Sequence, residues 1–199
     1  AVCNSNELRD AHNEMLPTVS AFGAKIPLDP KLWKVILAYS QTEEAKNLPA
    51  IDQRLLEETL ADFREAGADL PDDKKKRLEE LSSELAQTTQ KFSEKVLDAT
   101  NDWQINIQDE TKLEGLPETA KEAARQTAIE KLGEEEGKDA WILTLHAPSL
   151  VPALQYLEDD DLRKEIWSAS NDLGCKAPFD NQILVADILR LRQEKAQLL

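Results

Sequence analysis

Residues 62–100, DFREAGADLPDDKKKRLEELSSELAQTTQKFSEKVLDAT, decide how the rest of this chain is read. Gly67 can take the left-handed conformation that closes a helix. Pro71 pre-sets the first turn of the next helix, and Asp72 and Asp73 place negative charge at its positive end. Leu78, Leu81, Leu85, Thr88, Phe92 and Val96 then recur every three or four residues and make one apolar stripe. The stretch predicts a helix end, a tight link, and one long amphipathic helix from Pro71 to near Thr100, docked along a helical core.

Toward the N-terminus, helix signals continue. Asn4 with Glu7 resembles a capping box, and Leu8, Ala11, Met15, Val19 and Phe22 follow at helical spacing. Pro17 lies inside that run and is expected to kink or split it. Asp29-Pro30 opens a short helix carrying Trp33, Ile36, Leu37 and Tyr39, and Pro49 opens another with Ile51, Leu55, Thr59, Leu60 and Phe63.

Beyond Thr100 the period changes. Trp103, Ile105 and Ile107 alternate with polar residues, as in a half-buried strand, and Ala140–Leu145 alternates again with Trp141, Leu143 and Leu145 on one side. A lone strand leaves its backbone unsatisfied, so these two are expected to pair. Between them, Leu116-Pro117 starts a helix through Ala120, Ala124, Ala128 and Leu132 that stops at Gly133. Glu134–Glu136 with Gly137 read as a mobile link. Pro148 and Pro152 frame a short helix, Asp159–Asp161 cap the next, which carries Leu162, Ile166 and Trp167, residues 171–180 form a loop, and Asn181 caps a final helix with Leu184, Ile188, Leu191 and Lys195. The expected fold is mainly α: a multi-helix domain with one long amphipathic helix and a small two-stranded, hairpin-like β element. There is no internal repeat and no linker that would divide the chain.

Composition narrows the function. With 41% hydrophobic and 32% charged residues, the 199-residue chain reads as globular rather than disordered. Its 39 acidic against 24 basic residues give a net charge of −15 without a basic patch, which argues against nucleic acid as a partner. No apolar run approaches the ~18 residues of a membrane span. Cys3 and Cys175 fit no metal or redox spacing and read as free thiols in a reducing cytoplasm. A cleaved leader would leave no trace, so a periplasmic location stays open. The only methionine is Met15, and the last segment is still in helical period at Leu198 and Leu199, without a capping glycine. These ends read as those of a piece of a longer polypeptide.

Candidate chemistry is sparse. A zinc-protease helix needs two histidines four apart with a glutamate between them, and neither His12 nor His146 has such a partner. His12 and Glu14 would point to different helix faces, so they do not form an acid–base pair. Cys3, His12, His146 and Cys175 could meet only through the fold. No GxSxG elbow or phosphate loop is present. The carboxylates are too many to be informative singly. Trp33, Trp103, Trp141 and Trp167 fall on apolar stripes and read as core, with one or two able to line a peptide groove. On the residues alone, this is a helical module with no chemistry of its own.

The wording of several segments adds more. NELRDAHNEMLP at Asn6–Pro17, the 62–100 stretch itself, LEGLPETAKEAA at Leu113–Ala124, WILTLHAPSLVPALQYLEDDDLRKEIWSA at Trp141–Ala169 and ILRLRQEKAQLL at Ile188–Leu199 resemble the N-terminal part of the zinc oligopeptidases typified by oligopeptidase A, thimet oligopeptidase and neurolysin. The resemblance implies a largely helical protein of two lobes facing a narrow channel that admits short peptides. In that family zinc is held by the histidines of HExxH and a later glutamate, and the motif's own glutamate activates the metal-bound water. None of these has a counterpart here. The expectation is therefore that residues 1–199 form a non-catalytic, channel-wall region lying before the catalytic zinc domain. They would restrict substrate size, with no catalytic or metal residue of their own and with substrate-contacting residues not identified. Zn2+ is expected only in the missing domain. The expected partners are short peptides and that domain, with no nucleic acid and no membrane, and the expected location is cytoplasmic. Exposed apolar surface is expected where the missing parts dock. The alternatives are a stand-alone helical module that binds peptide or protein and, less in keeping with Thr88 in the stripe, a helical structural protein.

Overall fold

The structure is a computed structural model that describes residues 5–199. Asn4 and Cys3, singled out above as a cap and a thiol, lie outside the described residues. The fold is mainly α with a small two-stranded antiparallel sheet. Its contacts divide the chain into two compact units. One holds residues up to Lys91 together with Leu184–Leu199, and the other is Phe92–Ile183. Both boundaries, Lys91–Phe92 and Ile183–Leu184, fall inside helices and not in linkers.

The first unit begins with α1 (Asn6–Leu28), α2 (Pro30–Ser40), the single turn α3 (Glu43–Lys46) and α4 (Ala50–Glu65). Ser5 caps α1, its hydroxyl accepting from the Leu8 N–H at 3.2 Å. Pro17 does not split α1, which is one element from Asn6 to Leu28. Proline removes one intrahelical bond there, but the turns on either side keep theirs. The Asp29 carboxylate takes the N–H groups of Lys31 and Leu32 at 2.7 and 3.0 Å, which satisfies the first-turn donors of α2. Those bonds, with Leu32 first, hold the Asp29 pKa below its ordinary value.

At the end of α4, Gly67 sits at φ +98 and the Ala68 N–H reaches back to the Phe63 carbonyl at 2.9 Å, a Schellman-type closure. A side chain at Gly67 would meet Leu78 and Leu70 at under 3 Å. The long helix α5 (Asp72–Asp102) follows, with Pro71 supplying the carbonyl for its first bond. Its stripe is inward-facing: Leu78, Leu81 and Ala99 are buried, and Leu85, Thr88, Phe92 and Val96 are half-buried. Thr88 escapes a polar penalty by returning its hydroxyl to the Glu84 carbonyl at 2.7 Å. In the first unit, Arg77 of α5 grips Glu194 of α10 (Gln182–Leu198) through Nε at 2.7 Å and also donates to Glu80 and Glu84.

The second unit is built around β1 (Gln104–Ile107) and β2 (Trp141–Thr144), antiparallel with Gln104 opposite Thr144 and Ile107 opposite Trp141. The two period-two runs therefore pair as expected. Their burial differs. β1 is half-exposed, whereas every residue of β2 is buried. The reason is α6 (Glu118–Leu132), whose small residue Ala128, with Leu132, packs on Ile142, while Trp141 and Leu143 face the main core with Leu113, Leu157, Leu162 and Ile166. Alanine on α6 lets the helix approach the strand closely.

Several expected details are corrected in this unit. Residues 134–137 are a helical turn, α7, rather than a link, and Gly137 approaches α6 so closely that an added Cβ would lie 2.4 Å from the Ile129 Cα. Pro152 lies inside α8 (Ala147–Tyr156) instead of ending it. α9 (Asp160–Asn171) is capped by Asp159, which accepts from the Leu162 N–H at 2.9 Å. Asn181 does not cap α10 with its side chain. It is buried, its amide donates to the Phe92 carbonyl at 3.2 Å, and Asp180 takes the Gln182 N–H at 2.9 Å instead.

Candidate functional site

The described residues that sequence suggested for chemistry lie on different elements and loops, each at the surface. His12 is exposed on α1 with Asn13 Oδ1 3.4 Å from its Nδ1, and Glu14 is exposed beside it. His146 is an exposed residue at the start of α8, and Cys175 is an exposed free thiol. Among the described residues no group of three or more His, Cys, Asp or Glu side chains converges in a way that could hold a metal ion.

The tryptophans divide. Trp33 is buried, stacked on Phe63 with ring centroids 5.9 Å apart, and its indole N–H donates to Asp69 at 2.8 Å. Arg64 lies over the same ring and pairs with Asp69, so α2 is fixed to the end of α4. Trp141 is buried and Trp103 half-buried. Trp167 departs from the expected core role and is 57% exposed. It follows Ile166 by one residue, and a rotation of 100° carries it off the buried face of α9.

Two surface features stand out instead. The first is α1. Leu8, Met15 and Phe22 recur every seven residues, Val19 and Ile26 repeat the same step four residues later, and all five are exposed. They form one uncovered apolar seam, with His12 at the corresponding position one heptad before Val19. The helix buries only Leu28. Val35 on α2 and Ile51 and Leu55 on α4 are also exposed. Contiguous apolar surface of this kind marks an interaction face. The sequence showed the spacing of α1, but periodicity identifies the apolar face without saying what covers it.

The second feature lies within the Phe92–Ile183 unit. A cleft of about 460 Å³ is bordered by Ile105–Asp109, Lys112, and Asp159, Asp161, Leu162 and Glu165. A smaller one of about 270 Å³ lies against the alanine face of α6, with His146, Ser149 and Lys131 at its rim. Lys131 is tied to the Gln104 side chain. Sequence reasoning missed the larger cleft, although Asp161 and Glu165, one turn apart on the polar face of α9, were visible as a pair.

Comparison with known proteins bears on the whole chain. No protein-family model matches it. It is 34% identical to oligopeptidase A of Haemophilus influenzae and 34% identical to oligopeptidase A of Escherichia coli, in each case over all of this chain and 29% of the relative. The similarity to oligopeptidase A runs along the whole of this chain. A protein of Arabidopsis thaliana named probable cytosolic oligopeptidase A is 33% identical with the same coverage. The resemblance drawn from the quoted segments is thus borne out, and the chain spans less than a third of the length of these relatives. Among the described residues, no helix is long and apolar enough to cross a membrane.

Proposed function

We propose that this chain is a non-catalytic helical lobe of a zinc-dependent oligopeptidase that hydrolyses short peptides in the cytoplasm. Residues 1–199 shape the wall of the substrate channel and limit the size of what enters. The zinc ligands and the activating glutamate belong to the part of such a protein that this chain does not contain. One observation supports the reading above others: similarity to oligopeptidase A over every part of the chain, at 29% of the relatives' length. The bare seam of α1 supports it from the physical side. Leu8, Met15, Val19, Phe22 and Ile26 face water here, and they gain a partner if the remaining polypeptide packs on them.

The test is turnover. The purified 199-residue chain with added zinc is expected to leave a short quenched-fluorescent peptide uncut, while the full-length gene product cleaves it and loses activity with a chelator. Chelator-sensitive cleavage by the 199-residue chain alone would overturn the assignment.

A further inference from the structure

We propose that the free edge of β1 is a strand-addition site for an extended peptide segment carrying a basic side chain. The sheet has two strands, so each has one edge the other does not engage. The edges are not equivalent. β2 is buried throughout, α6 and α8 pack against it, and its Thr144 N–H donates to Ser149 Oγ at 3.0 Å.

That last bond reveals the phase of the ladder. In an antiparallel pair, opposed residues alternate between those that exchange both main-chain bonds and those whose N–H and C=O turn outward. Thr144 turns its N–H outward, and it stands opposite Gln104. Gln104 and then Asn106 therefore direct their main-chain groups away from β2, while Ile105 and Ile107 bond to Leu143 and Trp141. Asn106 is exposed and borders the 460 Å³ cleft. Successive strand residues point to opposite faces of a sheet. A cleft that touches every residue from Ile105 to Asp109 must then run along the edge of the strand, not over one face.

The opposite wall says what kind of segment fits. Asp109 already holds the Thr111 N–H and hydroxyl, and Asp159 holds the Leu162 N–H. Asp161 and Glu165 are exposed, one turn apart, and make no ion pair among the described residues. Lys112 is the single cation among the lining residues. The site thus offers outward N–H and C=O groups at Asn106, apolar contact at Ile105 and Leu162, and net negative charge within side-chain reach. An extended peptide pairs its main chain with the first and places an arginine or lysine against the last. The inference rests on the proposed peptide-handling role, to which it adds a subsite and a preferred charge.

The experiment is a titration of the isotope-labelled 199-residue chain with a short peptide alternating valine and arginine, and with its glutamate counterpart. Saturable shifts at Gln104, Asn106 and Asp161–Glu165 are expected for the arginine peptide alone. Asn106→Pro removes the outward N–H without touching the bonds to β2, a position where an edge strand tolerates proline. It should weaken binding about tenfold, the loss of one hydrogen bond, with cross-strand Ile105–Leu143 contacts intact. The double variant Asp161→Asn, Glu165→Gln should erase the preference for arginine over glutamate. Shifts confined to another surface such as α1, equal binding of both peptides, or unchanged affinity in Asn106→Pro with the sheet preserved would each overturn the site. Those outcomes leave the proposed function standing, because that reading falls on a separate result, chelator-sensitive cleavage by the same chain.

Discussion

Amphipathic helices meet two different ends in this molecule. In the Phe92–Ile183 unit, α6 and α8 close over β2, α9 packs on α8, and Leu113, Ile142, Leu143, Leu157 and Ile166 are sealed from water. In the other unit, α1 repeats apolar residues just as regularly, yet Leu8, Met15, Val19, Phe22 and Ile26 stay exposed and α4 buries no residue at all. Composition does not separate the two. What separates them is whether a second layer lies within the same stretch of sequence. The second unit folds its own cover, while the apolar faces of α1 and α4 remain open to water.

The comparison breaks most sharply on paired truncations. Ile166→Ala empties a fully enclosed position and should cost about 2–5 kcal/mol in denaturant unfolding, whereas Phe22→Ala, on a residue 70% exposed, should change stability by no more than about 0.5 kcal/mol. A large loss at Phe22 would mean that the α1 seam is already covered in solution, for instance by a second copy.

Glycines sharpen the contrast at intermediate size. Gly137→Ala drives a methyl to 2.4 Å from the Ile129 backbone, so α7 must part from α6, with an expected loss above about 1 kcal/mol. Gly23→Ala on α1 meets nothing within 4 Å and replaces a flexible residue inside a helix. It should stabilise by about 0.4–1 kcal/mol, read as a raised unfolding midpoint. Loss of stability at both positions would remove the distinction between a closed and an open unit.

The smallest effect concerns the pinning of α5 to α10 within the first unit. The Arg77 hydrogen bond holds the Glu194 carboxyl below its ordinary pKa. A depressed carboxyl pKa stabilises the fold above the unfolded-state value, and that contribution fades as pH falls through the folded value. Wild type and Glu194→Gln should therefore differ slightly and constantly from neutral pH down to the ordinary glutamate range, then converge below it. Both partners are on the surface, so the gap is small at every pH. Midpoints measured across acid pH check the sign: a gap that widens on acidification would contradict it.

Much of the fold was legible because its punctuation is local. Asp29, Asp159, Pro71, Gly67 and Gly133 end or begin helices through bonds to their own neighbours, and the alternation around Ile105 and Leu143 needs only the residues themselves. What was not legible depends on distant groups. β2 is buried on both faces because α6 folds back onto it, which its own period-two pattern does not show. Residues 134–137 form a turn because Gly137 finds Ile129, and Asn181 abandons its cap position for the Phe92 carbonyl. Pro17 and Pro152 each lie inside a continuous helix, because a proline deletes one bond and the neighbouring turns can still hold. Of the surface features, the α1 seam was readable as spacing and not as exposure. The β1 edge was invisible, because the direction in which Asn106 turns its main chain follows from its pairing phase with β2, which the Thr144–Ser149 bond reveals.

The division of the chain at Lys91–Phe92 has a practical consequence. The severing point lies within α5, where main-chain amides and carbonyls are engaged in successive turns. An endoprotease that feeds on floppy connectors meets no such seam there, and trimming a spacer cannot yield either half as a clean product. Anyone wishing to isolate the sealed half must cut through both α5 and α10 and supply a new terminus at each end.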